Sequence, residues 1–263
     1  MKKVGLALGS GGVKGLAHIG VIKTLVKHNI KIDYIAGSSI GALIGGLYSA
    51  TLDISQVEKW FLELTYKDLL RILFEPYFYS GLIKGEKVVS LIKSKVGNIK
   101  IEGLKIPFKA VATDLIIGES VIFDKGDLSL AIRASGAVPF LISPVYLKDK
   151  CLVDGGVSMP IPVKVVKKMG ADIVIAVNLD FVYFNLNNNK TLKQKLNIKK
   201  VVEKSLNVLR YQLAKENIKE ADIVINPIIK KGSIINFIHG KDIIREGEKV
   251  TEEVIPKILE LIN

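Results

Sequence analysis

The sequence predicts an α/β fold in which helices pack on a layered sheet. Short apolar runs, at residues 4–8, 34–36 and 172–177, alternate along the chain with longer segments of helical periodicity. The first two runs stop at glycines, as buried strands often do. The chain has 263 residues, of which 49% are hydrophobic, so it can build one large core. We predict a single domain over residues 1–263.

The individual strands and helices are predicted from the spacing of apolar residues and from the residues that begin or end such elements. Strands are predicted at residues 4–8, 34–36, 108–113, 119–123, 143–147, 151–153, 172–177 and 223–226. Helices are predicted at residues 15–28, 40–50, 57–64, 84–96, 128–135, 160–168, 198–219 and 246–261. Lys148-Asp149-Lys150 indicates a hairpin, and Asn187-Asn188-Asn189 a loop tip. The aromatic segment 65–83 is a candidate lid or acyl-chain wall, with ordinary helical core as the alternative.

Composition bounds the setting of the protein. A single cysteine, Cys151, excludes an internal disulfide and favours a reducing, cytoplasmic location; its apolar neighbours predict a buried filler. The formal net charge of +12 suits an anionic partner or reflects a lysine-rich surface. Residues 34–52 carry no charge, but their glycines and serines indicate a strand, a turn and a helix rather than a membrane span. No signal peptide is expected.

The first chemical signal is Gly37-Ser38-Ser39-Ile40-Gly41, which fits G-x-S-x-G between a predicted strand and a predicted helix. A serine on such a turn sits in a strained backbone with its hydroxyl exposed. Gly37 and Gly41 let neighbouring chain pass closely, and the helix N-terminus favours developing negative charge. This context makes Ser39 a candidate nucleophile, although Gly-Ser turns are common.

The second signal is Gly9-Ser10-Gly11-Gly12-Val13-Lys14-Gly15, which follows the first strand and opens the first helix. Consecutive glycines can turn several backbone amides toward one anion, either a phosphate or a tetrahedral oxyanion. A Walker loop requires serine or threonine after Gly-Lys, and Lys14 is followed by Gly15. A dinucleotide loop requires a third glycine where Lys14 stands and an acidic residue after the second strand. Both departures disfavour a nucleotide-binding loop, and a plain tight turn is the remaining alternative to an anion site.

The third signal is Asp154-Gly155-Gly156, directly after a predicted strand. This pattern is a turn by default, but its carboxylate is well placed to accept a proton from a serine. The three histidines are less well supported as the base, because His18 lies within a helix, His28 at a polar helix end and His239 in a late loop without a motif. A triad through His239 stays open, and a Ser-Asp pair is the simpler prediction.

These three segments, in this order, resemble the patatin-like phospholipase family. Residues 110–115 and 132–139 look like further family features, and the resemblance spans about residues 4–163. It implies a three-layer α/β/α patatin-like fold with a mostly parallel central sheet. It also implies a serine acyl hydrolase in which Ser39 attacks an ester carbonyl and Asp154 accepts its proton.

The same resemblance assigns further residues. Backbone amides around Gly11 and Gly12 would form the oxyanion hole, Lys14 would orient the glycine loop or face a phosphate, and Gly37, Gly41, Gly155 and Gly156 would be motif glycines. No metal or cofactor is expected. An ordinary aspartate, with a pKa of about 3.9, is a poor base for serine, so burial must raise the basicity of Asp154 or the oxyanion site must carry most of the catalysis.

The predicted substrate is a lipid or fatty acyl ester. We expect no nucleic-acid partner, and a cytoplasmic protein for which peripheral contact with an anionic inner membrane surface is left open, with the basic helix 199–219 as one candidate face. Two competing hypotheses are a non-catalytic protein that binds a nucleotide or lipid through the glycine loop, and a scaffold that acts through charge alone. Head group, acyl chain length and oligomeric state stay open.

Overall fold

A single mixed sheet organises the part of the chain that the computed structural model describes, residues 2–65, 68, 83–181, 196–229 and 240–263. Its strands are β1 (Val4–Leu8), β2 (Tyr34–Ser38), β3 (Phe108–Asp114), β4 (Glu119–Phe123), β5 (Val145–Leu147), β6 (Lys150–Asp154), β7 (Ile173–Val177) and β8 (Ile223–Ile225). They are ordered β5-β6-β3-β2-β1-β7-β8, and β4 pairs with β3. The run β3-β2-β1-β7-β8 is parallel throughout, while the pairs of β3 with β4, β3 with β6 and β5 with β6 are antiparallel.

Helices cover both faces of the sheet. They are α1 (Ala17–Lys27), α2 (Ile40–Thr51), α3 (Ile54–Leu62), α4 (Glu86–Val96), α5 (Leu128–Ser135), α6 (Val163–Lys168), α7 (Ile198–Asn217), α8 (Gly240–Glu252) and α9 (Ile255–Ile262). Successive side chains of β1 point to opposite faces. Leu6 and Leu8 join a core with α1, α2, α3, α8 and α9, whereas Ala7 joins a second core with α6 and α7. This confirms the predicted three-layer fold and its mostly parallel central sheet.

The register of β3 brings the ends of two other strands together. Val111 pairs with Ser38, the last residue of β2, and the next residue, Ala112, pairs with Asp154, the last residue of β6. Since β2 runs parallel to β3 and β6 runs antiparallel to it, their carboxyl ends converge on one point of the β3 edge. The residues that follow these two strands are therefore close together in space.

Prolines account for two differences from the predicted helices. The helix predicted from residue 160 begins only at Val163, because Ile161 precedes Pro162 and a residue before proline avoids the helical region. The single helix predicted at 246–261 is two helices, α8 and α9. Pro256 stands in the first turn of α9, where its missing amide costs nothing, whereas it could not continue a helix from α8.

Several predictions have other outcomes. Cys151 lies on β6 and is half-buried, so the prediction of a fully buried filler is wrong. Most of the segment 65–83, the loop tip at Asn187-Asn188-Asn189 and His239 lie outside the described residues. The single domain stays a prediction. No helix within the described ranges combines the length and the apolarity that crossing a membrane requires.

Candidate active site

Ser39 occupies the sharp turn between β2 and α2. Its backbone has φ 56° and ψ −123°, a conformation that costs an ordinary residue energy and that recurs at functional turns. The flanking glycines make the turn sterically feasible. A Cβ on Gly41 would lie 2.2 Å from the carbonyl oxygen of Leu8, and one on Gly37 would lie 2.4 Å from the Gly41 carbonyl. The sequence pattern around Ser39 thus has a steric cause at both glycines.

The hydroxyl of Ser39 donates a hydrogen bond to Asp154 Oδ2. Oδ1 of the same carboxylate accepts the Gly156 amide at 2.7 Å, so each carboxylate oxygen has one donor. The backbone of Asp154 is also held, because its amide donates to the Ala137 carbonyl at 2.9 Å and its carbonyl accepts from Thr113 Oγ1 at 2.9 Å. Both side chains are buried, with 7% of Ser39 and 6% of Asp154 exposed. The pair is therefore fixed and largely shielded from water.

Burial changes the acid–base properties of this pair. It raises the pKa of Asp154 to about 6, against the hydrogen bonds from Ser39 and Gly156 and the positive charge of Arg210, which favour the ionised form. An aspartate with this pKa is ionised at neutral pH yet is more basic than an exposed one. Desolvation thus gives Asp154 the raised basicity that the sequence analysis called for.

The glycine-rich loop lies next to the same turn. It forms a 3-10 helix over Gly12–Leu16, and Gly12 has φ +58°, which glycine adopts without penalty. A Cβ on Gly15 would lie 2.3 Å from the side chain of Ile40, the residue that follows Ser39, so the loop packs closely on the start of α2.

The amides of this loop differ in their use. Those of Gly9 and Ser10 donate to the carbonyls of Val177 and Pro160. Those of Gly11 and Gly12 have no acceptor among the described residues. Free amides in a loop that packs on the start of α2 are suited to an oxyanion.

Lys14 points into the protein. Its Nζ donates to the Leu179 carbonyl at 2.5 Å and lies 3.6 Å from Asp180 Oδ1. Burial lowers the pKa of this ammonium to about 8, and the carboxylate of Asp180 opposes that shift. Of the two roles predicted for Lys14, these contacts favour orienting the loop over facing a phosphate.

Asp180 and Arg210 complete this cluster, and sequence reasoning missed both. The Arg210 guanidinium forms two hydrogen bonds with the carboxylate of Asp180, from Nε at 3.0 Å and from Nη2 at 2.8 Å. One signal could have pointed to Arg210. The other basic residues of this helix are lysines, so Arg210 stands out as an arginine among them. An arginine in such a background indicates that fork geometry is needed.

Ser135 was missed as well. Its Oγ accepts the amide of Ser39 at 2.9 Å, across 96 positions of sequence. It lies at the end of α5, in the segment 132–139 that resembles the family. Its role was not visible, because no local pattern connects the two serines.

The two histidines in the described ranges, His18 and His28, have partners other than Ser39 and Asp154. His18 is fully buried, and its Nε2 lies 2.7 Å from the Gly9 carbonyl; since a carbonyl only accepts, Nε2 carries the proton. Burial lowers the pKa of His18 to about 4, so it stays neutral and supports the glycine loop. His28 pairs with Glu252 at 2.7 Å. Within the described ranges, the carboxylate of Asp154 is thus the titratable group in contact with Ser39.

Comparisons with known proteins agree with this architecture. An NTE family protein of Mycobacterium tuberculosis, named as uncharacterised, is 43% identical over 178 residues, which are 68% of this chain and 49% of that protein. A patatin-like phospholipase domain-containing protein of Caenorhabditis elegans is 35% identical over 185 residues, which are 67% of this chain and 13% of that protein. The chain thus spans about half the length of the mycobacterial relative and a smaller share of the nematode relative.

Two solved structures share the fold. VipD from Legionella pneumophila superposes with a TM-score of 0.60 at 11% identity, covering 97% of this chain and 67% of VipD. The type III effector protein ExoU superposes with a TM-score of 0.52 at 12% identity, covering 98% of this chain and 53% of ExoU. The model of the patatin-like phospholipase family matches residues 6–167, more than half of the chain. The chain therefore belongs to the patatin-like phospholipase family.

Proposed function

We propose that this protein is a serine acyl hydrolase that cleaves carboxylic ester bonds of lipids. The observation that carries the proposal is the hydrogen bond from the Ser39 hydroxyl to the buried carboxylate of Asp154. Ser39 itself stands on a strained strand-to-helix turn. Membership of a family named for phospholipases supports a lipid ester as the substrate.

In the proposed reaction Ser39 Oγ attacks the ester carbonyl carbon while its proton passes to Asp154 Oδ2. The carbonyl oxygen becomes an oxyanion that accepts hydrogen bonds from the Gly11 and Gly12 amides, and an oxyanion donor is typically worth about 100- to 1000-fold in rate. Asp154 then gives the proton to the leaving alcohol, which leaves an acyl group on Ser39. Asp154 next takes a proton from water, whose oxygen attacks the acyl carbon, and returns that proton to Ser39 Oγ as the bond from Oγ to the acyl carbon breaks and the acid leaves.

The environment of Asp154 supports this division of labour. The amide of Gly156 occupies Oδ1, so Oδ2 is the oxygen that exchanges the proton. The pKa of about 6 leaves Asp154 ionised at neutral pH and able to hold a proton transiently. The non-catalytic nucleotide-binding alternative is weaker, since the Lys14 ammonium is held by Leu179 and Asp180.

The finer assignments belong to the same proposal. The segment 65–83 stays a candidate apolar lid or acyl-chain wall, and we propose a cytoplasmic protein for which peripheral contact with the inner membrane surface is left open.

The test compares ester hydrolysis by two variants, each with a matched control. Ser39→Ala and Asp154→Asn should each lower kcat/KM for a short-chain ester by more than about 1000-fold. Ser38→Ala removes the adjacent buried hydroxyl, which has no hydrogen-bond partner among the described residues, and Asp114→Asn changes a second buried carboxylate on β3. Both controls should keep the activity within a few-fold. Full activity in either Ser39→Ala or Asp154→Asn refutes the assignment.

A further inference from the structure

We propose that the edge of the sheet that carries Ser39 docks on the surface of an anionic lipid bilayer through two exposed apolar elements. One is the β3–β4 turn, residues 115–117, and the other is the first part of α7, residues 198–209. The inference rests on the proposed function only in giving the bilayer the role of substrate; the docking itself is a separate property.

The β3–β4 turn projects past the nucleophile. β3 continues three residues beyond the Val111–Ser38 pair, which is about 10 Å of strand, before the turn begins. The turn then presents three consecutive large apolar side chains, with 53% of Leu115, 69% of Ile116 and 58% of Ile117 exposed. Turns of this kind usually carry glycine or polar residues, so an exposed apolar tip indicates a binding surface.

The tip is held in place by hydrogen bonds. The Leu115 amide donates to the Cys151 carbonyl at 2.9 Å, and the Ile116 amide donates to Asp114 Oδ1 at 3.1 Å. The Gly118 amide closes the turn on the Asp114 carbonyl at 2.9 Å. The apolar side chains are therefore presented to solvent by an ordered backbone.

The first part of α7 shows the same exposure. Its exposed apolar residues all precede Arg210 and are Ile198, Val201, Val202, Leu206, Val208 and Leu209, while Ala214 is the first buried residue of the helix. α7 is anchored where Arg210 holds Asp180 and where Asn217 Oδ1 accepts the Ile161 amide at 3.1 Å. The 12 residues before Arg210 correspond to about 18 Å of helix.

Both anchors lie at the edge of the sheet that carries Ser39. Asp180 follows the carboxyl end of β7, and Pro160, next to Ile161, accepts the amide of Ser10. The two apolar elements are thus on either side of Ser39 in the strand order, one on β3 and the other beside β7.

Phe140 adds a further exposed apolar side chain at this edge. It is 72% exposed, and it follows Ala137, whose carbonyl accepts the amide of Asp154. The apolar exposure therefore reaches the immediate surroundings of the reacting pair.

Charge favours an anionic lipid surface over a second copy of the chain. α7 contains five lysines and arginines against two glutamates, and Lys200 and Lys204 are exposed beside its apolar residues. This combination of exposed aliphatic side chains and lysines is typical of helices that lie in a bilayer interface. Two copies of a chain with net charge +12 would repel each other.

The dimensions agree with access to a lipid ester. An interfacial element buries its apolar face about 5–10 Å into the boundary between head groups and acyl chains. A tip that stands about 10 Å beyond the Ser38 pair would then leave Ser39 close to the head-group layer, where the ester bonds of a phospholipid lie.

The experiment measures sedimentation of the full chain with vesicles of phosphatidylcholine and phosphatidylglycerol in equal amounts, and with phosphatidylcholine alone. The α7 variant is Val202→Asp with Leu209→Asp, and the tip variant is Ile116→Asp with Ile117→Asp. The matched control, Val26→Asp with Leu259→Asp, changes exposed aliphatic residues on α1 and α9 near the opposite edge of the sheet.

We expect the wild type to bind the anionic vesicles more tightly than the neutral ones, and less tightly as salt is raised. Each surface variant should weaken binding about tenfold or more, and the control should bind like the wild type. A thermal melt of each variant verifies that it folds, and cleavage of a soluble short-chain ester should be unchanged in all of them.

Three outcomes overturn the docking proposal: wild type that does not bind anionic vesicles, surface variants that bind as well as wild type, or surface variants that only convert a dimer to a monomer. Failure of the proposed function is distinguishable, because the wild type would then cleave no ester and would still bind the anionic vesicles.

Discussion

Two buried carboxylates at the same edge of the sheet have opposite surroundings. Asp154 meets a hydroxyl and a backbone amide, from Ser39 and Gly156. The carboxylate of Asp180 contacts two cations. Arg210 forms a bidentate pair with it, and Lys14 Nζ lies 3.6 Å from Oδ1. A carboxylate bonded directly to cations can hold them in place, whereas one that is shielded from water and bonded only to a hydroxyl and an amide can exchange a proton. We propose on this basis that Asp154 exchanges the proton and that Asp180 supports the glycine loop.

The largest expected effect concerns stability at Asp180. Asp180→Asn leaves the charges of Lys14 and Arg210 without their carboxylate, and breaking a buried pair typically costs about 3–5 kcal/mol. We expect a loss of about 3 kcal/mol, the lower end, because a quarter of the Arg210 side chain is exposed (26%). Urea unfolding at neutral pH measures it, with Asp114→Asn as the control. A loss below about 0.5 kcal/mol would contradict the structural role.

At Asp154 the same substitution, aspartate to asparagine, should increase the free energy of unfolding instead of lowering it. Burial raises its pKa in the folded protein above the unfolded value, so the protonated form favours folding below pH 3.8 and this advantage is lost as the pH rises through about 6. Asp154→Asn removes the buried charge and should therefore raise the free energy of unfolding by about 1–3 kcal/mol at pH 8. At pH 4 the difference should vanish. An Asn variant that is less stable than wild type at pH 8 would show that the ionised carboxylate is not penalised.

The smallest expected effect is a displacement of the pH profile. kcat/KM for a soluble ester should fall about tenfold per pH unit below about pH 6, as Asp154 becomes protonated. Because the negative charge of Asp180 raises the pKa of Asp154, Asp180→Asn should move this acidic limb to lower pH. The measurement compares profiles of wild type and Asp180→Asn at a temperature where both are folded. A limb that moves to higher pH would contradict the electrostatic coupling of the two carboxylates.

Much of the fold could be predicted because its determinants are local. The apolar runs of β1 and β7 and the helix α5 lie where periodicity put them, and Asp127 caps α5 as its amide acceptor. The helix boundaries near Pro162 and Pro256 were wrong, because proline acts on its preceding residue and its position within a turn decides the outcome.

The candidate site divides in the same way. Ser39 and Asp154 could be singled out because each stands in a compact glycine pattern. Asp180 and Ser135 could not, and Arg210 could be noticed only as an arginine among lysines, since their contacts join residues 30 and 96 positions apart and depend on the tertiary fold. The same register, Val111 with Ser38 and Ala112 with Asp154, creates the serine–aspartate contact, and no local pattern encodes it.

The most direct test of the central claim is covalent labelling with an alkyl fluorophosphonate, followed by peptide mapping. An activated serine should carry the phosphonyl adduct, so we predict a single modified residue, Ser39, with a labelling rate that falls below about pH 6 and drops strongly in Asp154→Asn. An adduct on another residue, or a folded wild-type protein that takes up no label, would contradict the account.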